Sequence, residues 1–430
     1  HMITVEARAY RGSTALRSAR PTTGVASSMD AILRRCLVVM FAAGLAACTA
    51  GPRTPGVSGD GTAAEAAASA EAAGGSTARP GAGPTQVAIL LPLGASDQRA
   101  ARSAAAILKA AELAISGPDG AALRLRSYDT KGTPDGATVA AEAAMADGAR
   151  LILGPLFGRS AQAVGAAAGG VPVLSFSTDT SVAAGNVWVT GFAPENEVER
   201  ILSFAAAQGI GSVAVYAPDV PYGAAALRGL GPAASATGVS VVAEEVYPRS
   251  FQDIERTAPL FVSTAQAGGA QAVLLPDFGQ GLAIAASFVN FHGMPQPEVR
   301  YLGIGQWEAG ETLRAPELVG GWFAGADSDA VAAFFQRYQT RYGERPPFVA
   351  VLGYDAGLIA ATLASEGRAA GSADPFSRSA LTRSAGFEGA VGALRLRDDG
   401  RTDRGLAVLE VSDGRFVVLD PAPRRFDVGS

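Results

Sequence analysis

Seven residues that could take part in binding chemistry come directly after three short apolar runs of the chain. They are Ser177, Thr178, Asp179, Asp277, Phe278, Gln306 and Trp307. Hydroxyl and amide groups donate and accept hydrogen bonds, a carboxylate accepts strong ones from an ammonium group, and an aromatic ring packs against an apolar body. These residue types are suited to holding a small polar molecule.

Each of these residues also has a purely structural interpretation. An aspartate at position 179 is as well suited to capping the turn that follows it as to accepting an ammonium group. Phe278 and Trp307 are of the type that usually packs in a core. If the apolar runs 272–275 and 301–303 are strands, however, these aromatic residues follow strand ends, where α/β proteins bind ligands. Both interpretations stay open at this stage.

The residues needed for most enzymatic chemistry are absent. The chain has two histidines, His1 and His292, and no cysteine after Cys48, which argues against a Ser-His-Asp triad and histidine-rich metal sites. The segments 209–211 and 303–305 begin a dinucleotide-binding loop but lack its third glycine. No Gly-x-Ser-x-Gly or phosphate-binding Gly-Lys-Ser/Thr motif occurs in the folded part. We therefore expect a protein that is not an enzyme and has no cofactor.

The N-terminal region has the order of features found in secretory signal peptides. Within residues 29–47 a charged start is followed by an apolar run of about a dozen residues, shorter than the ~20 needed to cross a bilayer. The run ends at Leu45-Ala46-Ala47-Cys48, which resembles the lipobox of bacterial lipoproteins and predicts lipidation of Cys48. An ordinary signal peptide with an incidental cysteine is the alternative.

The flanking segments complete this interpretation. Residues 1–28 are interpreted as a cloning scar followed by an upstream segment from an incorrectly assigned start. Residues 48–84 are rich in Ala, Gly, Pro, Ser and Thr and predict a flexible tether. Thr49, in place of the aspartate that retains lipoproteins in the inner membrane of enteric bacteria, favours the periplasmic face of the outer membrane over the inner one.

From residue 85 onward, short apolar runs alternate with amphipathic helical segments. Runs such as 87–91 and 272–275 are typical of buried strands in a parallel sheet. The alternation restarts near residue 213, which predicts two successive doubly wound Rossmann-like sheets. The fold class is therefore α/β with two lobes, and the ligand-binding cleft is expected where the strands of both lobes end. A net charge of −5 argues against nucleic acid as a partner.

Several segments in this order resemble the type I periplasmic binding proteins, the family of the leucine/isoleucine/valine receptors. The segments are 87–93, 152–156, 171–179, 218–223 and 386–392. The resemblance implies two lobes joined by three hinge crossings, near 192–196, 322–328 and 387–392. The implied N-terminal lobe comprises 85–194 plus 326–387, and the C-terminal lobe comprises 195–325 plus 388–421. It also implies capture of an amino acid or similar solute, for uptake by an ABC permease.

The same resemblance suggests roles for individual residues. Ser160 matches the serine at a helix start that holds a ligand carboxylate. Ser177 and Asp179 match a second contact segment, and Tyr222 matches a tyrosine that faces the ligand. The acidic residue that anchors the ligand in branched-chain receptors has no clear match near Gln306, and Asp277 or Glu308 are the available substitutes.

A second resemblance suggests a different partner. The phrase 174–180, together with the lipobox, looks like the penicillin-binding-protein activator lipoproteins, which stimulate a peptidoglycan synthase by protein contact. Enteric members of that group carry an additional N-terminal helical-repeat domain. The segment before residue 85 is too short for such a domain, because repeats of about 34 residues must stack at least three times. Because of the phrase 174–180 and the lipobox, regulation of cell-wall synthesis is the alternative function, although this chain lacks the segment length for the repeat domain of the enteric members.

Overall fold

Parallel β-sheets form the centre of both halves of the protein in the computed structural model, which describes residues 83–426. The predicted signal peptide, the lipidation site Cys48 and nearly all of the tether lie outside the described residues. The strands are β1 (Thr85–Leu91), β2 (Leu123–Asp129), β3 (Leu151–Leu153), β4 (Val173–Ser175), β5 (Val187–Val189), β6 (Ser212–Pro218), β7 (Ser240–Tyr247), β8 (Ala272–Leu274), β9 (Arg300–Gly303), β10 (Trp322–Gly325), β11 (Phe387–Glu388), β12 (Ala393–Leu396), β13 (Thr402–Arg404), β14 (Ala407–Ser412) and β15 (Arg415–Asp420).

Helices connect these strands and cover the sheets. They are α1 (Gln98–Ala114), α2 (Pro134–Ala146), α3 (Gly158–Ala167), α4 (Pro194–Ala207), α5 (Pro221–Thr237), α6 (Phe251–Ala267), α7 (Gly279–Phe291), α8 (Ser328–Tyr342), α9 (Ala350–Ala370) and α10 (Arg378–Leu381). Many begin at residues that satisfy the free N–H groups of the first turn. Thr133, Ser250 and Asp327, for example, accept hydrogen bonds from backbone N–H groups of α2, α6 and α8.

The first sheet is entirely parallel, with the strand order β2-β1-β3-β4-β5. Its first strand reads TQVAILL and is buried from Val87 onward, because helices cover both faces. One core contains Ile107 of α1 and Ile359 of α9, and a second contains Val164 of α3. The order reverses on either side of β1, and the connections β3–α3 and β4–β5 reach the edge where a doubly wound sheet binds ligands.

The second sheet has seven strands in the order β15-β14-β10-β9-β8-β6-β7. Strands β6 to β10 pair in parallel, and β14 and β15 add an antiparallel edge. Helices α4 and α5 pack on one face through residues such as Ile201 and Leu230, whereas α6 and α7 pack on the other through Phe261 and Val289. This sheet and its helices form the second lobe.

The chain passes between the lobes three times, as expected for two doubly wound lobes with three crossings. It leaves the first lobe after β5 and returns to it after β10, where β11, β12 and β13 form a separate small sheet, and it leaves again after β13. In the third passage, Leu394 and Leu396 of β12 pack in the core of the first lobe, whereas Leu406 and Val408 pack in the core of the second. The lobe boundaries given above stay predictions.

A buried ion pair ties these passages together. Arg404 of β13 donates to Asp355 of α9 at 2.9 Å, and both side chains are 2% exposed. The same guanidinium donates twice to the carbonyl of Thr190, at 3.1 and 2.6 Å, and Asp355 also accepts the N–H of Ala390 at 2.7 Å. We call these four residues the hinge network. The hinge network thus joins α9 to two of the three segments in which the chain crosses between the lobes.

Candidate ligand-binding cleft

A cavity of about 470 Å³ lies between the lobes, at the carboxyl ends of strands from both sheets. Its volume is in the range of small-molecule binding sites. The residues that line it are Thr178, Phe192, Pro194, Glu197, Tyr222, Gly305, Gln306, Glu308, Ala309, Gly325, Ala326, Phe348, Val349 and Leu352.

The first lobe and its hinge segment contribute an apolar surface. Phe192 and Phe348 lie with ring centroids 5.0 Å apart, and Val349 and Leu352 continue the surface at the start of α9. Phe348 is 39% exposed, so its ring is accessible to a molecule in the cleft. Together with Thr178, these residues form the first-lobe wall, and a ligand would meet mainly hydrocarbon and aromatic rings there.

The opposite surface is polar, and hydrogen bonds hold it in place. Tyr222, in the first turn of α5, donates to Oε2 of Glu197 at 3.3 Å and accepts the N–H of Gln306 at 3.2 Å. Oε2 of Glu197 also accepts the N–H of Gly305 at 3.1 Å. We call Glu197, Tyr222, Gln306 and Glu308 the second-lobe wall. These bonds join α4, α5 and the turn after β9 into one surface.

Gly305 allows a close approach between its own peptide and the carboxyl group of Glu197. A Cβ atom at this position would lie 2.4 Å from Oε1 of Glu197, well inside van der Waals contact. A side chain at position 305 would therefore force the carboxyl group to move away from its present position.

Two carboxyl groups of the wall have raised pKa values. Burial raises the pKa of Glu197 from 4.5 to about 8, and the nearby Glu195 adds to this, while the hydrogen bonds from Gly305 and Tyr222 act in the opposite direction. Solvent still reaches the side chain of Glu308, but desolvation among the cavity walls raises its pKa to about 7, against a lowering by the N–H of Ala326. Burial raises the pKa of Tyr222 as well, so its hydroxyl stays a donor.

Of the contact residues predicted on the first lobe, one lines the cavity and the others do not. Thr178 lines the cavity, whereas Ser177 is buried behind it and its Oγ accepts the N–H of Asp179 at 3.0 Å. Asp179 is exposed, and its Oδ1 accepts the N–H and the hydroxyl of Ser181 at 3.0 and 2.6 Å. This is the geometry of a capped turn, the structural alternative considered above. Ser160, in the first turn of α3, is 1% exposed, and its Oγ has no hydrogen-bond partner among the described residues.

The predicted residues of the second lobe are divided in the same way. Tyr222 and Gln306 line the cavity, and Phe278 packs edge-on against Tyr222 with ring centroids 5.8 Å apart. Asp277 is fully buried, where it pairs with Arg249 at 2.7 Å and accepts the hydroxyl of Tyr247 at 2.7 Å.

Trp307 is also fully buried. Its ring packs near Phe323 in the second-lobe core, and its Nε1–H donates to the carbonyl of Leu275 at 3.0 Å. For Asp277 and Trp307 the geometry thus provides partners inside their own lobe, and a ligand-binding role for them stays a prediction.

Sequence reasoning missed Glu197 and Phe348. Glu197 lies one residue past the predicted crossing 192–196, where Pro194 begins α4. A proline that opens a helix just after a crossing, followed by acidic residues, is a signal that could have drawn attention to this position. Phe348 precedes α9 within an irregular segment, and nothing in its sequence surroundings marks it as facing a cleft.

Two general findings narrow the chemistry of the described chain. Residues 83–426 contain no group of three or more His, Cys, Asp or Glu side chains arranged to hold a metal ion. Within the same range, no helix combines the length and apolar character needed to cross a bilayer.

Comparison with known proteins identifies the family. The model of a family described as periplasmic binding protein matches residues 84–415, which is most of the chain. The chain belongs to the periplasmic binding protein family. In this periplasmic binding protein the matched range includes strands β1 to β14 and every residue that lines the cavity. Members of this family bind solutes and are generally not catalysts.

Solved structures with the same fold support this assignment. A putative branched-chain amino acid ABC transporter protein from Rhodospirillum rubrum is 22% identical with a TM-score of 0.66, covering 78% of this chain and 100% of its own. A branched-chain amino acid ABC transporter periplasmic ligand-binding protein from Burkholderia xenovorans is 20% identical with a TM-score of 0.61, covering 79% and 96%.

A solute-binding protein from Desulfitobacterium hafniense in complex with Leu is 20% identical with a TM-score of 0.56, covering 78% and 100%. At these identities the similarity shows that this periplasmic binding protein has the two-lobed type I fold. A search of curated proteins finds no significant match.

Proposed function

We propose that this periplasmic binding protein is a non-catalytic receptor that closes over a small polar solute, an amino acid or a similar molecule, and presents it to an ABC permease. The cavity between the lobes carries the proposal, because its volume of about 470 Å³ and its polar second-lobe wall suit a small ligand. Thr178, Tyr222 and Gln306 are the predicted residues that we propose as ligand contacts, since all three line this cavity. Solved relatives include a protein in complex with Leu and another in complex with 3,4-dihydroxy benzoic acid.

A thermal-shift screen of amino acids and related metabolites tests this function. A ligand present at a hundred times its dissociation constant stabilises the folded state by ~2.7 kcal/mol and raises the melting temperature. Gln306→Trp, which fills the cavity from an exposed position, should abolish the shift. Gln339→Trp, at an exposed position of α8 outside the cavity, should leave it unchanged. A screen without any stabilising compound would count against the receptor function.

We further propose that the mature protein is attached by lipid at Cys48 to the periplasmic face of the outer membrane, with the inner membrane as the alternative. The lipobox-like end of the signal peptide supports this proposal. Durable anchoring needs more than one acyl chain, as in a triacylated N-terminus. Cys48→Ser should move the protein from the membrane fraction to the soluble periplasmic fraction, whereas Cys36→Ser should not. Unchanged fractionation of Cys48→Ser would contradict the proposal.

Regulation of a peptidoglycan synthase is the second candidate function. The phrase 174–180 and the lipobox favour it through their resemblance to penicillin-binding-protein activators. Its distinguishing result is a failed ligand screen together with stimulation of a purified peptidoglycan synthase by the protein. Neighbouring genes for a permease and an ATPase would favour the receptor instead.

A further inference from the structure

The charged side chains that line the cavity between the lobes are all acidic. Among the residues that line it are two carboxyl groups, Glu197 and Glu308, and no lysine, arginine or histidine. A ligand with a negative charge would therefore find no cationic side chain in this cavity. A positively charged ligand would meet two potential counter-ions.

Glu197 is placed to bind such a ligand directly. Its side chain is 5% exposed, and both hydrogen bonds that it accepts, from Tyr222 and Gly305, go to Oε2. Among the described residues no hydrogen bond reaches Oε1, and this atom is not sealed from accessible space. A buried carboxyl group without a cationic partner is costly when ionised, so a ligand cation at the cavity surface would supply the partner that the ionised form of Glu197 lacks.

Glu308 is connected to the same peptide. Its N–H donates to the carbonyl of Gly305 at 3.1 Å, while the N–H of Gly305 donates to Glu197. Gly305 therefore links the turn that carries Glu308 to the carboxyl group of Glu197 on α4. The pKa values of about 8 and about 7 agree with the absence of a cation near either group.

The two serines that the family resemblance relates to ligand contact on the first lobe are not part of this surface. Ser160 and Ser177 are both buried, and neither lines the cavity. The first-lobe wall instead presents Phe192 and Phe348, whose rings can pack against an apolar body and also attract a cation through their faces. One face of Phe192 is already covered by the guanidinium of Arg404, 4.2 Å from the ring centroid.

We propose that the cleft selects an organic cation, an amine carried on an apolar or aromatic body, with the amine at Glu197 and Glu308 and the body against the first-lobe wall. This inference rests on the proposed receptor function and specifies its ligand class and orientation. It departs from a site in which a carboxylate at the start of α3 is the main anchor. The residues that determine specificity are then on the second lobe.

The other charged groups around the site are consistent with this assignment. Glu195, on the same helix as Glu197, is paired with Arg228 at 2.9 Å and accepts the hydroxyl of Thr180 at 2.9 Å. Arg345 lines an adjoining depression of about 360 Å³ that shares Gly305, Glu308 and Phe348 with the cavity. Its guanidinium lies over the ring of Phe335, 5.0 Å from the centroid. Arg345 therefore lies beside the cavity and is not one of the residues that line it.

Calorimetry with matched compounds tests the proposal on the intact mature protein. One set contains 2-phenylethylamine, 3-phenylpropanoate and L-phenylalanine, and a second contains 3-methylbutylamine, 4-methylpentanoate and L-leucine. Within each set the apolar body is similar and only the charged groups differ. We expect the amine to bind at least tenfold more tightly than the carboxylate, and no more weakly than the amino acid.

Two variants and two controls locate the effect. Glu308→Gln and Glu197→Gln should each weaken amine binding by about ten- to a hundredfold, as expected for loss of a charge-assisted hydrogen bond. Glu311→Gln, three residues beyond Glu308 and paired with Arg314, should change affinity less than about twofold. Glu199→Gln, exposed on α4, is the matched control for Glu197. If Glu197→Gln fails to fold, the comparison of Glu308 with Glu311 still decides.

The outcomes separate this inference from the proposed function. Tighter binding of the carboxylate or the amino acid than of the amine would overturn the ligand class while leaving the receptor function intact. Unchanged amine binding by Glu308→Gln would overturn the assigned orientation. If none of the compounds in either set binds, the ligand class is contradicted, and the thermal-shift screen described above decides the receptor function.

Discussion

Two regions of the molecule each bury a carboxyl group, and they treat it differently. In the hinge network, Asp355 has a cation in Arg404 and an N–H group of Ala390, and the ion pair is almost fully shielded from water. In the second-lobe wall, Glu197 has two neutral donors and no cation. The hinge thus completes its own charge pair, whereas the cleft leaves a carboxyl group for which a ligand can supply the partner.

The difference separates structural from binding residues better than residue type does. Removing a carboxylate from water costs several kcal/mol unless a cation and hydrogen bonds replace the lost hydration. Asp277, which pairs with Arg249, follows the pattern of the hinge rather than that of the cleft. A buried acid with a complete set of partners fits a role in the scaffold, and an incomplete one fits the ligand contact that we propose.

The largest effect is expected from breaking the hinge pair. Arg404→Met leaves Asp355 buried without a cation and should lower the free energy of unfolding by roughly 3–5 kcal/mol, measured by urea denaturation with circular dichroism. The control is Arg424→Met, because Arg424 pairs with Glu388 on the surface, where side-chain exposures are 66% and 55%, and such pairs contribute about 1 kcal/mol or less. Equal losses in both variants would contradict the structural role of the hinge network.

An effect of opposite sign is expected for Glu197. Because its pKa in the folded protein is about 8, above the ordinary 4.5, the unfolded chain loses this proton first as pH rises. The contribution of Glu197 to stability therefore falls between about pH 4.5 and 8, by at most ~1.4 kcal/mol per pH unit, and this fall is absent from Glu197→Gln.

Urea denaturation at pH 5, 6.5 and 8 measures this difference. The free energy of unfolding of Glu197→Gln should exceed that of the wild type by an amount that grows with pH and levels off above about 8. The neighbouring titratable groups, Glu195, Tyr222 and Glu308, remain in both proteins. A difference that is independent of pH would contradict a raised pKa for Glu197.

The smallest effect concerns Asp179, whose carboxylate caps a turn at the exposed edge of the cleft. Asp179→Asn should change stability by only a few tenths of a kcal/mol, and Asp179→Ala should lower it by ~1 kcal/mol, because asparagine caps well and alanine does not. Ligand affinity should be unaffected by either change. A tenfold loss of affinity in Asp179→Asn would instead indicate that Asp179 contacts the ligand, as we propose for Glu197 and Glu308 on the second lobe.

Most of the α/β order was predictable from local patterns. Buried strands such as β1 and β8 are continuous apolar runs, and amphipathic helices such as α1 have a clear apolar face. Helix α4 and strand β5 were missed. Strand β5 has only three residues, too few for a pattern, and α4 lies where the chain changes lobes, so its surroundings do not continue the alternation.

The candidate site was predictable only in part, because a position after a strand does not specify where a side chain points. Gln306 and Trp307 are adjacent after β9, yet one lines the cavity and the other is fully buried in the core. Asp277 follows β8 in the same way, but Arg249 and Tyr247, which are distant from it in sequence, take up its carboxylate. Such long-range partners leave no local signal.

The apolar periodicity and the ordered family segments determined the two-lobed fold, and the scarcity of histidine and cysteine in the folded part led to the prediction of a binding role. These properties depend on residue types and on neighbours along the chain. Which acids are satisfied and which face the cavity was decided only by the tertiary structure. Gly305, Tyr222 and Glu197 come together from separate elements of the fold. The burial of Glu197 without a cation therefore depends on tertiary contacts, which no single segment of the sequence specifies.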